Sequence, residues 1–81
     1  MLRVTLYSRR GCHLCDEMRA VVAVVEREFP LAVEEVDVDS DATLAAAYGD
    51  QIPVLLVNGR KAFKYRVDVP ALRARLRREP R

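Results

Sequence analysis

The chain has 81 residues, of which 51% are hydrophobic and 32% are charged, and its net charge is +2. This length predicts a single domain, residues 1–81, and the charge is too close to neutral to indicate nucleic acid or a membrane surface as the main partner. Two cysteines are too few for a disulfide scaffold, and no apolar run approaches the ~20 residues of a membrane span.

The first half of the chain predicts a βαβ unit. Residues 3–7 are rich in strand formers and begin almost at the N-terminus, so we expect no signal peptide and a cytoplasmic protein. A helix is predicted from about Cys12 to Pro30, because apolar residues recur there at spacings of three and four. A second strand follows around residues 33–38. A unit of this size predicts parallel strands joined by a right-handed crossover.

A short helix is predicted next, over residues 42–48. Asp39 or Ser40 is suited to cap its N-terminus, since short polar side chains accept hydrogen bonds from the first N–H groups of a helix. Gly49 is suited to end it.

The last third of the chain predicts a hairpin and a helix. The apolar run 54–57 is a strand, Asn58-Gly59 is a strong turn signal, and residues 60–65 pair back as an edge strand. Asp68 is suited to cap the last helix, and residues 79–81 are expected to fray. The predicted order is βαβαββα.

Both cysteines lie in one motif, Cys12-His13-Leu14-Cys15, at the junction of a strand and a helix. A Cys-x-x-Cys pair in this position indicates redox chemistry rather than zinc binding. Two alternatives stay open. An iron–sulfur or metal carrier would need ligands from a second subunit or an outside thiol, because two cysteines and one histidine fall short of four ligands. A binding module with idle thiols is the other.

The two cysteines are expected to differ in role. Cys12 lies at the helix N-terminus, where unpaired N–H groups and the helix dipole favour a thiolate, so we predict it as the nucleophile. Arg9 and Arg10 add positive potential. Cys15 lies one turn further on and is predicted to resolve the mixed disulfide. His13 either tunes the pair as an imidazolium or faces solvent.

Taken together, the sequence resembles a glutaredoxin-like protein of the thioredoxin superfamily. Four features in the right order carry the resemblance over nearly the whole chain: Tyr7-Ser8 before the Cys motif, Asp37-Val38-Asp39, Ile52-Pro53 and Asn58-Gly59. The resemblance implies a thioredoxin-like (glutaredoxin-type) α/β fold, with a four-stranded mixed sheet flanked by three helices. It also implies a cis Pro53 beside the Cys pair.

The resemblance implies a thiol–disulfide oxidoreductase that reduces protein disulfides or mixed disulfides, with a thiol reductant or reductase as its other partner. Its only redox group would be the Cys12–Cys15 disulfide, with no metal and no other cofactor. Arg9, Gln51, Ile52 and Pro53 fall where glutaredoxins bind substrate or glutathione. We expect a monomer without nucleic-acid or membrane partners.

The sequence departs from common glutaredoxins in two places. His13-Leu14 replaces the Pro-Tyr between the cysteines, and the segment Lys64–Asp68 replaces a Gly-Gly pair and an Asp after the hairpin. Side chains would fill space that Gly-Gly leaves open. Lys64 and Asp68 remain candidates for substrate contacts. We therefore expect weak or absent glutathione binding and a preference for protein disulfides.

Overall fold

The computed structural model describes residues 1–80 and has the predicted order βαβαββα, a four-stranded mixed sheet with three α-helices. The predicted domain and the segment predicted to fray both include Arg81, which lies outside the described residues. The elements are β1 Leu2–Ser8, α1 His13–Glu26, β2 Leu31–Asp37, α2 Ala42–Tyr48, β3 Val54–Val57, β4 Arg60–Lys64 and α3 Val69–Arg77, with a 3-10 turn over Val38–Ser40.

The sheet has the strand order β2-β1-β3-β4. β1 pairs in parallel with β2 and antiparallel with β3, and β4 pairs antiparallel with β3. Tyr7 near the end of β1 faces Val54 at the start of β3, and Val54 faces Lys64 at the end of β4. This register brings three loops to one end of the sheet: the Cys loop, the loop before β3 and the loop after β4.

The core lies between the sheet and the helices α1 and α3. Leu6 and Leu55 from the sheet, Met18 from α1 and Leu72 from α3 are all at most 2% exposed. Burial of one such side chain stabilises a fold by about 1.5–3 kcal/mol. Tyr48 of α2 stacks on Tyr7, with ring centroids 4.8 Å apart. The apolar stripes of the sequence therefore face the core, and they hold α1 with its N-terminus at the Cys end of the sheet.

Several element ends differ from the predictions. β1 is longer than the predicted 3–7, and β2 is Leu31–Asp37, so Val38 lies in the 3-10 turn and not in the strand. Helix α1 ends at Glu26, before Pro30. Asp41, not Asp39 or Ser40, caps α2, and its carboxylate accepts from the N–H groups of Thr43 and Leu44. β4 ends at Lys64 because Tyr65 has φ 69°, which a strand cannot accommodate.

The prediction that residues 79–81 fray is wrong for Glu79. Glu79 is 8% exposed. Its carboxylate accepts hydrogen bonds from Asn58, Arg60 and Arg75. A carboxylate with charged partners on two elements fastens the end of α3 to the β3–β4 turn.

Candidate active site

The site begins with Cys12, which is the N-cap of α1. Its backbone is extended, with φ −92° and ψ 110°, and its sulfur accepts a hydrogen bond from the Cys15 N–H at 3.2 Å. Gly11 precedes it with φ 71°, a conformation that glycine adopts without steric cost. Cys12 is half-buried and is a free thiol. The sequence thus placed Cys12 correctly at the start of the helix.

Cys15, unlike the half-buried Cys12, has no accessible surface. Burial first, and then the hydrogen bond with Cys12, raise the pKa of the Cys15 thiol to about 11. The backbone N–H of Arg9 and the charge of Arg19 act in the other direction. Cys15 is therefore protonated at neutral pH while it stays buried.

Arg9 is already engaged by its own chain. Its Nε and Nη2 donate to the Asp39 carboxylate at 2.8 and 3.0 Å, and its Nη1 donates to the Gly49 carbonyl at 3.1 Å. The pKa of Arg9 is raised, chiefly by the Asp39 hydrogen bond and least by the charge of Cys12. Arg10 is exposed, and within residues 1–80 its side chain has no hydrogen-bond partner.

His13 faces solvent. Its side chain is 86% exposed, and its Nε2 lies 3.0 Å from Oε2 of Glu17. Glu17 also lies 3.5 Å from Arg66, in the loop after β4. The imidazole of His13 therefore contacts Glu17 and makes no hydrogen bond with the Cys12 sulfur. This position matches the predicted alternative in which His13 faces solvent.

The loop before β3 contains the cis bond between Ile52 and Pro53 that the resemblance implied. The Gln51 side chain donates to the Ala47 carbonyl and accepts from Lys61 Nζ at 2.8 Å. Within residues 1–80, the Ile52 backbone hydrogen bonds no other group. An extended segment of another molecule can therefore pair with Ile52 at the end of the sheet that carries Cys12.

Tyr65 has a contact role that the sequence did not predict. Its N–H donates to the Pro53 carbonyl at 2.8 Å, and its hydroxyl lies 3.4 Å from the Asp50 carbonyl. Lys64 Nζ lies 5.3 Å from the ring centroid, and Tyr65 is 42% exposed. The ring thus ties the loop after β4 to the loop before β3. The only sequence signal was an aromatic residue where the resemblance has glycine.

A cleft of about 460 Å³ opens beside Tyr65, between α1, β4 and α3. Its lining combines apolar and charged residues: Glu17, Met18, Phe63, Tyr65, Arg66, Val67, Asp68 and Ala71. The Asp68 carboxylate accepts from the Ala71 N–H at 2.8 Å and so caps α3 as predicted. Its expected contact with substrate stays a prediction.

A charged network on the other side of α1 was also missed. Arg19, one turn after Cys15, donates to the Glu35 carboxylate through Nε and Nη2 at 2.8 and 2.6 Å and to Asp16 at 2.6 Å. The buried hydroxyl of Ser8 donates to Glu35 at 2.8 Å. This network fixes the positive charge of Arg19 near Cys15. No local pattern predicts the hydrogen bonds to Glu35, since they join β1, β2 and α1.

Residues 1–80 bring together no cluster of three or more His, Cys, Asp or Glu side chains able to hold a metal ion. None of the helices within residues 1–80 combines the length and apolar character needed to cross a membrane.

Comparison with known proteins agrees with this geometry. The fold is thioredoxin-like: the crystal structure of XcR50 from X. campestris is 41% identical, with a TM-score of 0.80 over 95% of this chain and 99% of that chain. A mutant thioredoxin from Halobacterium salinarum is 27% identical, with a TM-score of 0.65 over 90% of this chain and 69% of that chain.

The family follows from the sequence comparison. The chain belongs to the family of the Glutaredoxin-like domain (DUF836), whose model matches residues 3–77. An uncharacterized protein of Mycobacterium tuberculosis is 33% identical over 81 residues, covering 94% of this chain and 84% of the relative. The resemblance inferred from the Cys motif, Ile52-Pro53 and Asn58-Gly59 is confirmed.

Proposed function

We propose that the protein is a thiol–disulfide oxidoreductase that uses Cys12 and Cys15 to reduce protein disulfides or mixed disulfides. The observation that carries the proposal is the contrast within the pair. Cys12 is accessible at the N-terminus of α1, whereas Cys15 is fully buried one turn further on, with its N–H on the Cys12 sulfur. In such a pair, the Cys12 sulfur can attack a substrate, whereas the Cys15 sulfur is shielded from the substrate until the second step.

The first step is attack by the Cys12 thiolate on one sulfur of the substrate disulfide. The substrate S–S bond breaks, a Cys12–substrate disulfide forms, and the other substrate sulfur leaves as a thiolate that takes a proton from water. The free backbone of Ile52 can hold the substrate segment during this step.

The second step is attack by Cys15 on the sulfur of Cys12. The Cys15 thiol gives up its proton as its sulfur bonds to that of Cys12, the bond between Cys12 and the substrate breaks, and the second substrate sulfur leaves as a thiolate that takes up the proton. Two electrons have then moved from the Cys pair to the substrate. An external thiol reductant or reductase restores the dithiol by the same exchange in reverse, which fits a cytoplasmic setting.

The proposed substrates are protein disulfides rather than glutathionylated molecules. Three of the five N–H groups of Arg9 are committed to Asp39 and Gly49, so its guanidinium is poorly placed to bind a glutathione carboxylate. Tyr65 fills the position where the resemblance has glycine. Both features favour weak glutathione binding.

The test is reduction of a small protein disulfide by the wild type and by two single variants. Cys12→Ser is expected to abolish reduction, and Cys15→Ser to accumulate a mixed disulfide with the substrate. Wild-type activity of Cys12→Ser would overturn the proposal. The reduction potential of the pair against a glutathione buffer then places the protein among reductants or oxidants. Visible absorbance of the freshly purified protein would point to the iron–sulfur carrier instead.

A further inference from the structure

We propose that the Arg9 side chain is a positioning residue that anchors the Cys loop and thereby promotes the resolving attack by Cys15. This inference rests on the proposed function, because it concerns the second step of that reaction. It differs from the role that the resemblance implied for Arg9, which was contact with a glutathione carboxylate.

The planar guanidinium of Arg9 anchors the loop through three of its N–H donors, and we call this set of hydrogen bonds the fork. The Asp39 carboxylate receives two of them, and the Gly49 carbonyl receives the third. A two-bond guanidinium–carboxylate pair fixes orientation as well as distance, which a lysine ammonium does not. The loop after β1 is thus fastened to the 3-10 turn and to the end of α2.

Gly49 leaves the space that this fork occupies. Its φ of −57° is ordinary helical backbone, so its conformation does not require glycine. A Cβ at this position would lie 3.1 Å from Arg9 Nη2 and 2.4 Å from the Ala45 carbonyl oxygen. A side chain at residue 49 would therefore crowd the guanidinium of Arg9 as well as the end of α2.

Within residues 1–80, no other side chain fastens the loop. Across residues 9–11, Arg9 alone makes side-chain hydrogen bonds, since Arg10 is exposed without a partner and Gly11 has no side chain. Gly11 has φ 71° and is intrinsically permissive. The position of the loop backbone beside the Cys pair therefore depends on the fork.

The loop backbone matters because Cys15 must ionise in a buried place. Burial and Cys12 raise the pKa of Cys15, whereas the nearby Arg9 backbone N–H and the charge of Arg19 lower it. Arg19 is held independently by Glu35 and Asp16. Loosening the fork would withdraw the Arg9 N–H and leave Arg19 in place.

The experiment uses the aromatic disulfide of 5-thio-2-nitrobenzoate, which releases one coloured thiolate per attack. The first release reports Cys12 and the second reports Cys15. In Arg9→Gln and in Asp39→Asn we expect the first phase to change less than the second. The second phase should slow about tenfold, with its pH profile displaced upward by about one unit.

Three comparisons make the test decisive. Arg9→Lys keeps the charge but not the fork, so it should be as slow as Arg9→Gln, and wild-type resolution by Arg9→Lys would overturn the proposal. Asp39→Asn provides the same test if Arg9→Gln fails to fold. Arg73→Gln breaks an equivalent fork with Glu28 away from the site and should leave both phases unchanged.

Failure of the proposed function would look different. A wild type without a first phase, or a Cys15→Ser variant that releases no thiolate, would refute reaction at Cys12 itself. Normal first and second phases with unchanged pH profiles in both Arg9→Gln and Asp39→Asn would overturn only the role of the fork.

Discussion

The backbone N–H of Cys15 donates to the sulfur of Cys12 at 3.2 Å, so the two cysteines are already in contact while both are thiols. The same hydrogen bond makes Cys12 the cap of α1 and orients its sulfur over the helix N-terminus. Cys15, by contrast, is enclosed by the core. One turn of helix therefore separates an accessible sulfur from a protected one.

The first prediction is that Cys12 alkylates much faster than Cys15 at pH 7. Cys15 has no accessible surface, and with a pKa of about 11 only about one part in 10⁴ of it is thiolate at this pH. Iodoacetamide labelling followed by peptide mass spectrometry measures both rates. Cys15→Ser is the control and should leave the Cys12 rate similar. Equal labelling of the two sulfurs would contradict the asymmetry.

The second prediction concerns Tyr65 as a determinant of substrate choice. Tyr65→Gly suits the positive φ and removes the ring, so backbone of a small peptide ligand can approach the cleft. We expect turnover of a glutathione mixed disulfide to rise relative to turnover of a small protein disulfide. Tyr65→Asn tolerates the same φ but keeps a Cβ, and it should shift the ratio less. An unchanged ratio in Tyr65→Gly would remove Tyr65 from the specificity argument.

The third prediction separates the two roles of Asp68. Asp68→Ala should destabilise the protein by about 1 kcal/mol, because the cap on the Ala71 N–H is lost. Asp68→Asn keeps a capping oxygen and removes the charge, so its urea midpoint should stay near that of the wild type. Loss of disulfide reduction in Asp68→Asn would then assign the carboxylate to substrate binding. Full activity would leave Asp68 as a cap alone.

The fourth prediction concerns acid stability. The hydrogen bond from Arg19 first, and that from Ser8 as well, hold the pKa of Glu35 below its ordinary value. A depressed pKa in the folded state stabilises the protein above the unfolded pKa of about 4.3, and this contribution is lost as pH falls through the folded value. Melting temperatures between pH 7 and pH 3 should therefore fall less steeply in Glu35→Gln than in the wild type.

Variants of two adjacent residues, Glu35 and Glu34, give the expected loss of stability and the control for this prediction. Glu35→Gln should cost about 1 kcal/mol at pH 7, because the charged partner Arg19 is left with a weaker acceptor. Glu34→Gln removes a charge from the adjacent, exposed position and should leave the pH dependence of melting nearly unchanged. The network would be irrelevant to acid stability if both variants behaved alike.

Local signals accounted for the order of the elements and for the placement of the Cys pair. The three- and four-residue spacing of apolar residues along α1, the Asn58-Gly59 turn and the Asp68 cap each depend on residues within one or two turns of chain. Such patterns are readable because backbone geometry fixes which neighbours in sequence share a face or a turn. The position of Cys12 at the start of a helix followed from the same signals.

The tertiary structure alone decided which polar and charged side chains that are distant in sequence meet. Arg9 reaches Asp39 across 30 residues and Gly49 across 40, and Asn58 reaches Glu79 across 21. The sequence contains more carboxylates than Arg9 can bind, and no local pattern ranks them. Only the strand order and register choose among them, because they determine which distant loops lie at the same end of the sheet.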